Sequence, residues 1–131
     1  MIAKHQISEE LRSFIKDNIR TVLRLEVLLL LHDQQPKSFS AAEIAHELGF
    51  EIEATQDQLT ALETLGLAIQ STTDESKYEY HPVNTTLGST VDQLAAAYST
   101  RRIPILTALF ADNSHRPRLF AEAFKIIARI D

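Results

Sequence analysis

A few side chains have the type and spacing of a catalytic or metal site. His46-Glu47 begins the pattern H-E-x-x-H, in which two histidines one helical turn apart bind zinc and the glutamate acts as general base. Phe50 occupies the second histidine position, so the zinc motif is incomplete. Glu43 and Glu47 share a face of a predicted helix, but a carboxylate pair works as general acid and base only where burial shifts its pKa values. A solvated acidic face is the favoured interpretation of this pair.

Other catalytic chemistries are excluded by composition. The chain has no cysteine and only three glycines, which removes thiolate sites, cysteine nucleophiles and the glycine-rich loops that bind phosphates. Its histidines lack close metal-ligand spacing, and surface histidines are the simpler interpretation. The sequence therefore predicts no enzyme, no metal and no cofactor. The five histidines are His5, His32, His46, His81 and His115.

Charge is distributed unevenly along the chain. The 131 residues carry 13 lysines and arginines against 18 acids, a net charge of −5. Between Ser40 and Tyr80 nine acids face one base, Lys77, whereas residues 101–131 carry six bases and three acids. Ordinary solvated helix faces are the favoured interpretation of the basic end, and contacts between subunits or a separate anion-binding surface are the alternatives. Its candidate residues are Arg101, Arg102, Arg116 and Arg118.

These residues must be positioned by a mainly helical chain. Ser8 caps a predicted N-terminal helix over 8–20, and the apolar periodicity continues to residue 32. Residues 8–32 could form one helix or two short ones, and the favoured position for a break is Asp17-Asn18. A capping box formed by Ser40 and Glu43 opens a helix that ends at Gly49. A second short helix over 54–65 then ends at Gly66.

The hydrophobic period changes after Gly66 from 3.6 to 2. Residues 67–71 and 77–81 predict a two-stranded β-hairpin with Tyr78 and Tyr80 on one face. Helices follow over 86–130, where Pro104 should kink or split the first of them near Arg102-Ile103. A last amphipathic helix is predicted over 119–130. We interpret residues 1–131 as one domain.

The order of these elements resembles a known architecture. Residues 42–49 are similar to the second helix of winged helix-turn-helix domains, and residues 59–67 fit the pattern L-x-x-L-x-x-x-G-L at the entry to their wing. The resemblance covers a core of residues 21–81. It implies an α+β, mainly helical winged helix with a β-hairpin wing and additional N- and C-terminal helices. The flanking helices resemble the layout of MarR-like regulators, in which such helices build a dimer.

The resemblance implies two different functions. In DNA-binding relatives the 54–65 helix would enter the major groove and the wing would touch the backbone, but nine acids oppose contact with phosphate. The favoured hypothesis is therefore a transcription-related module that docks a regulatory protein through this acidic face. A sequence-specific DNA-binding regulator is the alternative. The candidate contact residues in either case are Thr55, Gln56, Asp57, Thr60 and Lys77.

The terminal helices carry more apolar residues than a small core needs. They predict a homodimer, with packing around the chain's own core as the alternative. The apolar run from Val27 to Leu31 is far shorter than the roughly 20 residues that span a membrane. We therefore expect a cytoplasmic protein without a membrane partner. The candidate dimerisation residues are Phe14, Leu94, Tyr98, Leu106 and Phe110.

Overall fold

The computed structural model describes residues 7–110, and these residues fall into two compact units. Residues 7–22 and 96–110 belong to the first unit, and residues 23–95 form the second. The predicted helix 119–130, Arg116 and Arg118 lie outside the described residues. The second unit contains the segments that the sequence assigned to the helix-turn-helix and the wing.

The first unit begins with a short helix that is interrupted as predicted. Helix α1 (Glu9–Phe14) is capped by Ser8, whose hydroxyl accepts a hydrogen bond from the Leu11 amide at 3.1 Å. A π-helical turn (Ile15–Ile19) follows and ends at Arg20, which has a φ of +69°. The break expected near Asp17-Asn18 is therefore a widened turn of helix rather than a loop.

The next helix, α2, begins at Val22, the last residue of the first unit's N-terminal segment, and continues into the second unit. Helix α2 spans Val22–Asp33, and its apolar run is buried on nearly all sides, as the sequence predicted. Its buried residues include Leu25, Val27, Leu28, Leu29 and Leu31.

The helix-turn-helix is built from two helices whose ends follow the capping signals. Helix α3 (Ala41–Leu48) begins with a complete capping box, in which the Ser40 hydroxyl accepts from the Glu43 amide at 3.1 Å and the Glu43 carboxylate accepts from the Ser40 amide at 2.9 Å. Gly49 ends α3 with a φ of +75°. Helix α4 (Ile52–Thr64) starts two residues before the predicted position. The two helices are close neighbours within this unit.

The sheet has three strands where the sequence predicted two. Strands β2 (Ala68–Gln70) and β3 (Lys77–Tyr80) form the expected antiparallel hairpin. A two-residue strand, β1 (Phe39–Ser40), pairs with the other edge of β3, giving the order β1-β3-β2. The sequence missed β1 because two residues carry no detectable alternation. Its register places Ser40 opposite Lys77.

Helices α5 (Thr85–Thr100) and α6 (Arg102–Phe110) occupy the stretch that was expected to split near Pro104. Pro104 lies in the first turn of α6, where its missing amide hydrogen removes no helical hydrogen bond. The split is therefore confirmed, one residue before the expected place. In the first unit, α6 packs against the π-helical turn.

Two glycines end helices with a positive φ but differ in their surroundings. A Cβ added to Gly66 (φ +82°) would lie 2.9 Å from the Cγ1 of Val83, whereas one added to Gly49 would meet nothing within 4 Å. We expect Gly49→Ala to cost about 1–2 kcal/mol of unfolding free energy for the left-handed backbone alone. Gly66→Ala should cost more, because the methyl group also collides with a stiff β-branched side chain.

Urea unfolding of the two variants measures this difference. Val83→Ala, introduced together with Gly66→Ala, should recover part of the loss by removing the collision. Equal losses for both single variants would contradict the explanation by contact with Val83.

Candidate interaction surface on the helix-turn-helix and wing

The exposed side of α4 is linked to the wing by the side chain of Gln56. Its amide nitrogen donates to the Tyr78 hydroxyl at 3.2 Å and lies 3.3 Å from the Thr60 hydroxyl. Gln70 also directs its amide nitrogen toward the Tyr78 hydroxyl, at 3.5 Å. The structure thus brings the predicted residues Gln56 and Thr60 together. The hydrogen bond from the same Gln56 amide to Tyr78 connects α4 to β3.

Thr55 does not lie where the sequence analysis expected it. It is fully buried, and its hydroxyl donates to the backbone oxygen of Glu51 at 2.8 Å. Thr55, Leu59 and Leu62 follow one another at helical spacing on the inward side of α4, and all three are buried. The assignment of Thr55 as a contact residue is therefore wrong. Asp57 and Thr60, by contrast, are exposed.

Lys77, the single base of the segment, is held by an acid of α3. Its ammonium nitrogen lies 3.5 Å from Oε1 of Glu43. The same oxygen accepts from the amide of Ser40, which pairs with Lys77 across β1 and β3. The hydrogen bond from the Ser40 amide, followed by the charge of Lys77, lowers the pKa of Glu43. Glu43 therefore remains charged at neutral pH and forms an ion pair with Lys77.

The contact between Glu43 and Lys77 is a feature of this surface that the sequence analysis did not find. The capping box was recognised from Ser40 and Glu43 alone. The approach of Lys77 depends on the register of β1, for which the sequence carries no signal. An ion pair at this site reduces the positive potential that Lys77 could present to a polyanion.

The other cations of residues 23–95 are also in contact with neighbouring side chains. Arg24 donates from Nε to the Gln58 side-chain oxygen on α4 at 2.9 Å. The Lys37 ammonium group lies 5.1 Å from the centre of the Phe39 ring, a cation–π distance. Arg24, Lys37 and Lys77 are the complete set of lysines and arginines in this stretch of sequence. This unit accordingly presents little positive charge.

Its acids are mostly exposed, from α3 through α4 to the tip of the wing. At the tip, Asp74 accepts hydrogen bonds from the hydroxyl of Ser76 at 2.6 Å and from its amide at 2.9 Å. These bonds lower the pKa of Asp74, so the tip stays negative. We call these acids the acidic face. Its exposed members are Glu43, Glu47, Glu51, Glu53, Asp57, Glu63, Asp74 and Glu75.

The two tyrosines of β3 share a buried side, as predicted, but their hydroxyls differ. The Tyr78 hydroxyl accepts from Gln56, whereas the Tyr80 hydroxyl is buried with no hydrogen-bond partner in the described part of the chain. Burial, with a smaller contribution from the charge of Asp92, raises the pKa of Tyr80 to about 12. Tyr80 is therefore neutral at all ordinary pH values.

Most of the predicted dimerisation residues face the interior of the chain. Leu94 is fully buried, and Phe14, Tyr98 and Leu106 are at most 9% exposed. With so little accessible surface, these four side chains offer almost no area to a second copy in this conformation. Their apolar surface is used in the chain's own packing, which was the alternative. Phe110 remains partly accessible.

The basic end is described only at its beginning. Arg102 is exposed, with its guanidinium carbon 4.8 Å from the centre of the Tyr98 ring. Arg101 is partly buried. Because Arg116 and Arg118 lie outside the described residues, a basic patch stays a prediction.

Two kinds of feature are absent from residues 7–110. No group of three or more histidine and acidic side chains is arranged to hold a metal ion. None of the helices in this range combines the length and the apolar character needed to cross a membrane.

The helix-turn-helix of α3 and α4, followed by the β2–β3 wing and completed by β1, defines a winged-helix α+β fold. The predicted fold class is therefore confirmed, with a third strand added to the sheet. No family model matches the chain. No curated protein matches it in sequence.

A solved structure similar to this chain is that of the transcriptional regulator BldR from Sulfolobus solfataricus. The two chains share 17% sequence identity, and the match covers 92% of this chain and 84% of that one, with a TM-score of 0.48. The fold assignment rests on the chain's own helices and strands.

The tyrosine pair gives opposite expectations for the same chemical change. Tyr80→Phe removes a buried hydroxyl without a partner and should raise the unfolding free energy by roughly 1 kcal/mol. Tyr78→Phe removes the acceptor of the Gln56 hydrogen bond and should lower it by a similar amount. Denaturant unfolding of the two variants measures both values. A clear loss of stability in Tyr80→Phe would show that its hydroxyl has a partner in solution.

Proposed function

We propose that this chain is a non-catalytic winged-helix regulatory module, connected with transcription, that docks a partner protein through the acidic face. The partner surface would be basic, because electrostatic complementarity steers association and disfavours partners of like charge. Asp57 and Thr60 are the exposed residues of α4 that we expect at the centre of this contact. Gln56 would act mainly by holding α4 to the wing.

The ion pair of Lys77 with Glu43 is the observation that carries this proposal. A DNA-binding winged helix needs cations on its helix and wing, because half or more of protein–DNA hydrogen bonds go to phosphate and sugar. The one base of the 40–80 segment is shared with a carboxylate at 3.5 Å. Exposed acids surround it on α3, α4 and the wing tip. This surface favours a basic protein over a nucleic acid.

The alternative is a sequence-specific DNA-binding regulator. It would place Gln56 and Thr60 against base edges and Lys77 against phosphate. The Gln56 amide would have to leave the Tyr78 hydroxyl, and Lys77 would have to leave Glu43. Both changes oppose binding, in addition to the repulsion between phosphates and the acidic face.

Two probes distinguish the proposal from this alternative. We expect no retention of duplex DNA at about 50 mM salt, where nonspecific binding by cationic side chains is strong. A lysine-rich peptide should instead shift the NMR amide signals of α4 and the wing. The double variant Glu53→Gln with Asp57→Gln should weaken these shifts, because it removes two exposed charges without changing side-chain length greatly.

A matched control removes two charges elsewhere. Glu9→Gln with Glu10→Gln changes the net charge equally on α1, where both acids are exposed. This variant should keep the peptide-induced shifts of α4. Retention of duplex DNA with a steep salt dependence would contradict partner docking and favour the DNA-binding alternative.

We also propose that the chain self-associates through α6. Ile103 is 66% exposed, and Phe110, seven residues further on the same helical face, is partly accessible. Exposed apolar side chains on one face of α6 favour a symmetric contact between copies. This contact would replace the dimer surface first expected from Phe14, Leu94, Tyr98 and Leu106.

Light scattering behind a sizing column tests the self-association. The wild-type chain should have the mass of a dimer at about 100 µM, a concentration well above the dissociation constant of a stable dimer. Ile103→Asp should give a monomer, because it places a charge in the apolar contact. Ile52→Asp is the matched control, since Ile52 is 56% exposed on α4 and should leave the dimer intact. A wild-type monomer at this concentration would rule out the proposal.

A further inference from the structure

His32 lies at the C-terminal end of α2 with a carboxylate on each side of its ring. Nδ1 is 3.0 Å from Oδ1 of Asp33, and Nε2 is 2.8 Å from Oδ1 of Asp92 on α5. The ring of Tyr80 on β3 packs against the imidazole in a T-shaped arrangement, with ring centres 5.2 Å apart and an interplanar angle of 77°. Three elements of the second unit, α2, β3 and α5, therefore meet at this one side chain. The incomplete zinc motif and the histidine spacing had given no indication of the cluster.

Only the protonated form of His32 satisfies this geometry. A neutral imidazole has one N–H donor and one acceptor nitrogen, whereas an imidazolium has two donors. With a carboxylate oxygen in hydrogen-bond range of both nitrogens, neutral His32 would direct a lone pair at one of them. The dipole of α2 adds to this preference, because a helix C-terminus stabilises a cation.

We propose that His32 is a proton-operated clasp, which as an imidazolium joins the end of α2 to α5 beside β3 and which releases one of its two carboxylate contacts when the proton is lost. This regulatory device goes beyond the proposed docking function and does not depend on it. Protons can reach it from solvent, since the Asp92 side chain is 70% exposed although that of His32 is only 15% exposed.

Burial and the neighbouring carboxylates shift the pKa of His32 in opposite directions. Partial burial lowers its pKa, but the hydrogen bonds and charges of Asp33 and Asp92 outweigh burial, and the pKa is raised above the ordinary 6.5. Tyr80 stays neutral, as shown by its own raised pKa. The contribution of the clasp to stability is therefore complete below about pH 6.5 and is lost as the pH rises through the higher value of the folded protein.

The clasp has a structural consequence for the wing. Tyr80 belongs to β3, and Asp92 lies two turns along α5, which follows the wing in the chain. Loss of the His32–Asp92 bond would loosen α5 against α2 and β3 without unfolding the sheet. The His32–Asp92 bond would be lost near neutral pH, where histidine side chains commonly change their charge.

NMR titration of the full chain between pH 5 and 9 tests the proposal. The carbon-bound ring protons of His32 should titrate with a midpoint above 6.5, and the backbone amides of α5 near Asp92 should titrate with the same midpoint. Asp92→Asn should lower the midpoint and abolish the linked change in α5. This variant alters an exposed side chain, so folding should be preserved.

Stability measurements provide the second readout. In urea unfolding, the advantage of the wild type over His32→Gln should be larger at pH 5.5 than at pH 8.5. A His32 midpoint at or below 6.5, an unchanged midpoint in Asp92→Asn, or α5 amides that do not follow the His32 titration would each overturn the clasp.

Discussion

The carboxylate of Glu43 is the group on which the organisation of the helix-turn-helix unit depends. It accepts the amide of Ser40 and thereby completes the capping box that starts α3. The same oxygen meets Lys77, which β1 and β3 place opposite Ser40. One acid therefore begins a helix, supports the pairing of the smallest strand and neutralises the wing's base. Since these roles share an oxygen, helix start, sheet register and surface charge are coupled at this position.

Because Glu43 pairs with Lys77, the wing lacks a free lysine for phosphate, which DNA-binding winged helices need. A winged helix presents a second helix and a hairpin, but the same framework can carry surfaces of either sign, so function must be argued from the surface. Here the three cations of residues 23–95 contact Gln58, Phe39 and Glu43, while the carboxylates of the acidic face point to solvent. A polyanion would have to displace these contacts and approach like charge. A basic protein surface would meet neither obstacle.

Buried polar groups mark the side of β3 that faces the helices. The Tyr78 hydroxyl accepts from Gln56 and ties α4 to the wing. The ring of Tyr80 lies against that of His32, and its hydroxyl has no hydrogen-bond partner among residues 7–110. Alternating residues of one short strand thus contact two different helices. A strand of four residues can do this because its inward side chains lie about two residues, roughly 7 Å, apart. The helix-turn-helix and the end of α2 are accordingly both in contact with β3.

The sequence by itself determined the local elements. Propensity and periodicity report these elements directly, because each signal acts within a few residues. The signals are the caps at Ser8 and Ser40, the helix ends at Gly49 and Gly66, the split near Pro104 and the alternation of the hairpin. Tertiary structure decided what depends on distant residues: strand β1, the ion pair of Lys77, the burial of Thr55 and Leu94, and the meeting of His32 with Asp92. Those contacts join positions 34 to 60 residues apart or depend on which helix face is covered. No local pattern encodes such choices, because they depend on how elements distant in the sequence pack against one another.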